Sequence, residues 1–577
     1  MSNYDRFPKT KVVGYENAAV TGYTDIFRQL KEEMQTAKVL CMDAYPGVDD
    51  NVLLEQIRQQ LDPDVLIDMH DVWKEEETLY EQLKYYLTDD RVFAHMYYGE
   101  LMDFIDEQRL AKAKKTVLEA EGSVVVYGFG AALVHPGDVL CYLDMARWEI
   151  TLRYRDGMPN YQCTNYKEDS LKKIKRGYYV EWRVADKHKM TIFDRVDYFI
   201  DTNDTDHPKM VSGKALREGL RQVANQPFRT VPYFDPGVWG GQWMKKVCNL
   251  DPEADNYAWS FDGVPEENAL HLDFGNAVME IPCMDLVLRH PKELLGPQVY
   301  ARFGAEFPIR FDFLDTMDGQ NLSLQVHPVT EYIHRQFGMA YTQDESYYML
   351  DAGEDACVYL GLKENVDREE MLEELRRANR GECLFDAEKY VNKIPAKKHD
   401  HFLIPAGTIH CSGKNAMVLE ISATPYNFTF KLWDWARVGL DGLPRPVHID
   451  HGEKVIQWDR TTPWVMDNLV DAFQTIESNE HYTEEHTGLH ELEFLESRRY
   501  WIEDQVQIDN RNNVNMLNLI EGDHCTIEST DGSFAPFTVH YAETFIVPAQ
   551  CHGYKIVNDT KDRIGVIRAY VRSPKAE

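Results

Sequence analysis

Residues 321–328 read Asn-Leu-Ser-Leu-Gln-Val-His-Pro, with Gln325 and His327 two apart in a largely apolar run. Side chains on a strand alternate between faces, so a spacing of two puts both on the same side. Downstream, Pro405-Ala-Gly-Thr-Ile-His410 offers a second imidazole after a strand and turn, and Glu345, within Thr-Gln-Asp-Glu-Ser-Tyr-Tyr, offers a carboxylate. Two imidazoles, a carboxylate and an amide carbonyl make a nitrogen and oxygen donor set without thiolate. Such a set suits Zn2+ or another divalent metal that keeps a position open for water or substrate. One strand histidine alone is more often a hydrogen-bonded core residue; the combination of Gln325, His327, Glu345 and His410 is what predicts a metal centre.

The elements that must position this set are strands. Apolar runs carry Gln325 and His327, lead into His410 through Phe402-Leu-Ile-Pro-Ala406, and continue as Val418-Leu-Glu-Ile421. Between the two histidines, after Leu362, the pattern turns helical. Asp367-Arg-Glu-Glu370 is a helix start, Met371, Leu372, Leu375 and Ala378 share one face, and Gly381 stands where a helix would stop. A helical insert over about 364–398 is expected within the ligand-bearing barrel.

These motifs, in this order, resemble type I mannose-6-phosphate isomerases of the cupin superfamily. The likeness rests on Gln-Val-His-Pro, Glu345 before an aromatic pair, Pro-Ala-Gly-Thr-Ile-His and Val-Leu-Glu-Ile. It continues in Arg437 followed by Asp441-Gly-Leu-Pro-Arg-Pro-Val-His-Ile449, and Phe234-Asp-Pro-Gly-Val-Trp-Gly-Gly241 looks like the family's Trp-Gly-Gly opening. The resemblance covers about 229–577 and implies an aldose-ketose isomerase acting on a sugar or sugar phosphate, with mannose 6-phosphate and fructose 6-phosphate the leading pair. It also implies an Asp and then an Arg after Leu-Glu-Ile. Here the chain departs: Lys431 stands where that Arg is expected, and Tyr426 or Asn427 where the Asp is expected. Lys431 and Arg437 are therefore the catalytic candidates, and replacing a planar fork by a titratable point charge leaves the identity of the base and the phosphorylation of the substrate open. Another or unphosphorylated sugar, a cupin oxygenase using Fe(II), and a non-catalytic sugar-sensing protein are the competing classes. The Gln ligand and the Arg-Pro-Val-His-Ile tail favour the isomerase over the oxygenase.

At 577 residues the chain exceeds what one core accommodates. Against 62 Lys and Arg stand 96 Asp and Glu, a formal net charge of -34, a field that repels nucleic acid and anionic lipid. No apolar run reaches membrane length and no signal pattern opens the chain, which points to a cytoplasmic protein. The ten cysteines form no Cys-x-x-Cys or regular framework, so neither a thiolate zinc site nor a disulfide scaffold is expected.

Residues 1–228 read as strand, loop and helix in alternation. Strand runs at Lys38-Val-Leu-Cys-Met-Asp43, Val65-Leu-Ile-Asp-Met69, Ser123-Val-Val-Val-Tyr127 and Asp138-Val-Leu-Cys-Tyr-Leu143 are spaced for a parallel three-layer sheet. With Asp71 and the arginine-rich stretch 142–156, this order resembles uridine-kinase-like P-loop domains. The loop is degenerate: Ala44, Asp49, Asp50 and Asn51 occupy the four diagnostic positions of Gly-x-x-x-x-Gly-Lys-Ser/Thr. An aspartate replaces the phosphate-binding lysine, so phosphoryl transfer is not expected.

Residues 485–577 repeat the barrel signal, Phe545-Ile-Val-Pro-Ala549 echoing Phe402-Leu-Ile-Pro-Ala406, without ligands. Gly553 takes the histidine's place and His552 is one position off. The expected architecture is multidomain, α/β plus all-β: a kinase-like α/β domain (1–228), a metal-binding cupin jelly roll (229–484) and a second, metal-free cupin barrel (485–577).

Overall fold

The computed structural model describes residues 2–423, 428–488 and 490–572. The chain is mixed α/β with many β-sheets and forms two compact units. One comprises Lys9–Val223 together with Ala269–Arg289; the other comprises Met1–Pro8, Ala224–Asn268 and His290–Glu577. No helix among the described residues is long and apolar enough to cross a membrane.

In the first unit five strands run parallel: β1 (Val39–Ala44), β2 (Val65–Asp68), β3 (Val124–Gly128), β4 (Val139–Asp144) and β5 (Tyr198–Asp201). Their order is β2-β3-β1-β4-β5. Runs such as Val-Val-Val-Tyr, buried throughout, are what a sheet covered on both faces requires. The chain leaves β1 and β4 in opposite directions, which opens a crevice between their carboxyl ends, the usual ligand position in such sheets. Here the protein's own charges fill it. Asp43 accepts from the backbone N–H groups of Gly130 and Ala132 and lies 2.8 Å from His188 Nε2. Lys189 donates to Asp144 at 2.9 and 3.0 Å and to Asp285 at 2.6 Å.

The turn after β1 is closed in the same way. Asp49 caps the helix Asp50–Gln56 by accepting from Val52 N–H. Asp50 accepts from Tyr127 Oη at 2.7 Å, and burial pushes its carboxyl up to about 6. Arg153, from the helix Arg147–Arg155, donates to the Gly47 carbonyl at 2.9 Å. The hairpin of Ala269–Asp273 and Val278–Pro282, with the helix Cys283–Arg289, returns to this unit and delivers Asp285 to Lys189. A sequence division at 228 does not anticipate this return.

In the second unit the part that carries the predicted ligands has two antiparallel sheets. One contains β6 (Arg310–Asp315), β8 (Glu345–Ala352), β10 (His401–Ile404) and β12 (Ala416–Ser422); the other contains β7 (Leu324–Val326), β9 (Cys357–Leu362), β11 (His410–Ser412) and β13 (Phe430–Trp433). The inserted helix spans Arg368–Asn379. Asp367 caps it by accepting from Glu370 N–H, and Met371, Leu372, Leu375 and Ala378 form its buried face. Gly381, at φ 78°, takes the left-handed conformation just beyond its end.

The C-terminal part again has two antiparallel sheets, including β14 (Tyr482–Gly488), β15 (Leu495–Ile502), β16 (Asn515–Glu521), β17 (Thr544–Val547), β18 (Gly553–Val557) and β19 (Ile564–Val571). Leu517, Ile527, Phe545, Ile556 and Val566 belong to the apolar core between them. His552 is exposed, with Nδ1 2.9 Å from Asn512 Oδ1.

Candidate metal centre

Three of the four predicted ligands converge. His410 pairs directly across from Gln325 in the β7 and β11 ladder, so both project from the same face. His327 follows β7 by one residue and Glu345 opens β8 on the opposing sheet. Glu345 Oε2 lies 3.0 Å from His327 Nε2, and Oε1 lies 2.8 Å from His410 Nε2. These contacts show that the two sheets meet face to face at this point. Ligand atoms of His327, Glu345 and His410 all lie within 4.8 Å of one another and all three residues are buried.

The second ring nitrogens decide what this cluster is. His327 Nδ1 is 3.0 Å from the Phe428 carbonyl and His410 Nδ1 is 2.9 Å from the Thr408 carbonyl. A carbonyl can only accept, so each Nδ1 carries the proton, and in the neutral imidazoles each Nε2 presents a lone pair. Two lone pairs then face a carboxylate, acceptor against acceptor. The geometry agrees: His327 Nε2 and Glu345 Oε1 make no hydrogen bond despite their close neighbours. A cation among them removes this conflict, and the donor set fits a divalent metal. Without one, burial works against charge on both groups, but the facing imidazoles pull the Glu345 carboxyl well below its ordinary range and Glu345 draws the His327 imidazole upward.

Gln325 completes the set at its edge. Its side-chain amide nitrogen lies 3.3 Å from His410 Nε2; a half-turn of the amide would present its oxygen instead.

Lys431 is directly opposite Gln325 on the other flank of β7, which puts its side chain on the ligand face. Arg437 is placed differently. Its Nη2 donates to Asp434 Oδ1 at 2.7 Å, its Nη1 to the Asn321 carbonyl at 2.8 Å and its Nε to the Asp434 carbonyl at 3.2 Å. Arg445 and Ser323 bind the same Asp434 carboxylate. Arg437 thus belongs to a clamp on the residues leading into β7. Tyr426 and Asn427 lie outside the described residues.

Sequence reasoning missed the acidic wall beside the cluster. Gln343 Nε2 donates to Glu345 Oε2 at 2.9 Å and to Glu420 Oε1 at 3.2 Å, fixing the carboxylate that faces the histidines. Asp312 pairs across from Glu420. Burial pushes the Asp312 carboxyl up to about 7 against the pull of Arg310, and burial, then Asp312, pushes Glu420 well up. Charged residues alternating along Arg310-Phe-Asp312 look in sequence like a solvated strand face; only the pairing register reveals a buried one.

A family model described as a domain of unknown function, DUF8485, matches residues 22–225. A mannose-6-phosphate isomerase of Streptococcus mutans is 28% identical over 221 residues, 38% of this chain and 64% of that protein. The chain thus spans less than two thirds of that relative's length. The mannose-6-phosphate isomerase ManA of Bacillus subtilis is 25% identical over 236 residues, 41% of this chain and 69% of the relative. A crystal structure of the mannose 6-phosphate isomerase from Bacillus subtilis aligns over 60% of this chain and 100% of that one, with 18% identity and a TM-score of 0.49.

Proposed function

We propose that the chain is a metal-dependent aldose-ketose isomerase that interconverts mannose 6-phosphate and fructose 6-phosphate. The observation that carries this reading is the pair of Nδ1-anchored imidazoles whose Nε2 atoms converge on the Glu345 carboxylate. The names of the sequence relatives support the substrate class. His327, Glu345 and His410, with Gln325 at the edge, would hold the metal; Zn2+ is the leading candidate. When bound, such an ion acts as a Lewis acid that polarises the sugar's carbonyl and hydroxyl oxygens. The carbonyls of Phe428 and Thr408 keep the rings oriented and Gln343 keeps the carboxylate turned towards them. Lys431, on the same face as Gln325, is assigned either the movement of the proton between C1 and C2 or the balancing of negative charge on the enediolate. Arg437 acts on this reading by holding Asp434 and the entry to β7.

A second substrate class is favoured by one observation. Arg310 sits against Asp312 and Glu267, while Arg437 and Arg445 share Asp434, so these guanidiniums are already turned on carboxylates of the chain. An unphosphorylated sugar needs none of them. The first unit is read as a kinase-like fold whose phosphate position is occupied by Asp49 and Asp50, and the protein as a cytoplasmic small-molecule enzyme. The test is isotope exchange. Protein loaded with Zn2+, Mn2+, Co2+ or Fe2+ is offered hexoses and hexose phosphates in deuterated water, and exchange at C1 or C2 is followed by NMR. Exchange with mannose 6-phosphate that chelation abolishes is expected; a metal-loaded protein that exchanges no sugar in the panel overturns the reading.

A further inference from the structure

The second barrel holds a guanidinium with no counter-charge. Arg568 lies on β19 two residues from Val566, a core residue, so its side chain points to the barrel interior. It is 7% exposed. Its Nη1 donates to Tyr500 Oη at 3.1 Å, its guanidinium carbon lies 4.3 Å from the Tyr570 ring centroid, and its Nε has no hydrogen-bond partner. No carboxylate among the described residues comes within ion-pairing distance of it.

The neighbours deepen the anomaly. Arg568 pairs directly across from Arg498 in the β15 and β19 ladder, so two like charges stand side by side on the inner face. Like charges directly opposed in a sheet are destabilising, more so where water is scarce. Arg498 has taken the nearby carboxylates: its Nη1 donates to Glu484 at 3.2 Å and its Nε to Glu496 at 2.8 Å. Glu496 is further shared with Arg572 and His486. Tyr500 passes the contact on by donating to Glu484 at 3.1 Å, so among the described residues Arg568 reaches an acid at second hand, and that acid is already engaged. In a chain of net charge -34, a buried arginine left without its own acid is a costly arrangement.

We infer that the interior of the second barrel, at Arg568, is a binding site for a small oxyanion of the phosphate type. With Nη1 spent on Tyr500, the Nε edge of the guanidinium is the side left to a ligand, and that edge presents two N–H groups in parallel, the fork that matches two oxygens of a phosphate. An anion there balances the Arg498 and Arg568 pair and satisfies the orphaned Nε. The Tyr500 and Tyr570 rings and the surrounding apolar core exclude water and strengthen the contact. The site is separate from the histidine cluster and stands whether or not the isomerase reading holds.

Calorimetric titration of the full chain tests this, with inorganic phosphate and a sugar phosphate as separate probes. Saturable phosphate binding is expected in the parent and in His327→Ala, with loss of about tenfold or more in affinity in Arg568→Met, as removal of a charge-assisted contact predicts. Because Arg568→Met relieves one buried charge yet risks the fold, Arg568→Lys serves as the second variant: it keeps the charge, lacks the fork and should bind several-fold more weakly. Binding of the sugar phosphate alone at Arg568 would name the ester as the ligand; equal binding of both names the phosphate group. Affinity for the bound probe unchanged in Arg568→Lys and Arg568→Met, or no saturable binding of either probe in the parent, overturns the proposal.

Discussion

Replacing Glu345 by Gln keeps the shape of the side chain and removes its charge from between two imidazoles. The carboxylate oxygens lie 2.8 and 3.0 Å from His410 Nε2 and His327 Nε2, so a cation held by both rings is about as close to the carboxylate. Unit charges about 3 Å apart at an effective dielectric of about 20 interact by about 5 kcal/mol. Allowing for relaxation of the remaining ligands, the expected loss in metal affinity is at least about a thousandfold. Without metal the imidazoles still hold the Glu345 carboxyl low and Glu345 draws His327 upward, an attraction that a neutral Gln lacks, so the chelated variant should also be less stable than the chelated parent. Competition with a chelating dye gives the metal Kd, and thermal unfolding with and without chelator gives the linked stability. If free metal is about a thousand times the parent's Kd, binding stabilises the parent by about 4 kcal/mol, and at the same concentration the variant by only about 0.4 kcal/mol. A Glu345→Gln protein with metal affinity within about tenfold of the parent would refute the reasoning, because the charge at the centre of the cluster would then contribute nothing.

Lys431→Met should lower turnover strongly while metal content, read by elemental analysis, stays at the parental level; a parental rate removes Lys431 from the mechanism. The first unit should show no magnesium-dependent ATP binding by calorimetry, since Asp49 and Asp50 hold the loop, and tight binding would contradict this. Burial raises the folded pKa of Asp50 above its unfolded value, so the proton is favoured in the folded state and the destabilising effect of ionisation sets in as pH rises through about 4 to 6. Asp50→Asn, which still accepts from Tyr127, should accordingly stabilise the unit by roughly 1–3 kcal/mol above pH 6 and by little below pH 4, as measured by urea unfolding. Asp367→Ala removes the cap on the inserted helix and should cost about 1 kcal/mol, seen as faster amide exchange over Arg368–Asn379 with the metal centre unaffected.

The local pattern of the chain determined a good deal. Runs such as Val-Val-Val-Tyr, with apolar residues for both faces, specify buried parallel strands without reference to anything distant. The cap at Asp367, the apolar stripe behind it and the left-handed Gly381 specify a helix with both ends, because caps act within one turn. Spacing alone placed Gln325 and His327 on one face. Tertiary structure decided whatever depends on which strands become neighbours. Glu345 meets two histidines only because two sheets close on each other, and the ring nitrogens that face it are selected by carbonyls at Phe428 and Thr408 that no spacing rule connects to them. The same holds for the buried pair of Asp312 and Glu420, for Asp285 returning to Lys189, and for Arg568 set against Arg498. Charges in a strand read as solvent-facing until the register shows what lies opposite, and register is fixed by the packing of the whole sheet, a long-range property that a local sequence window does not contain.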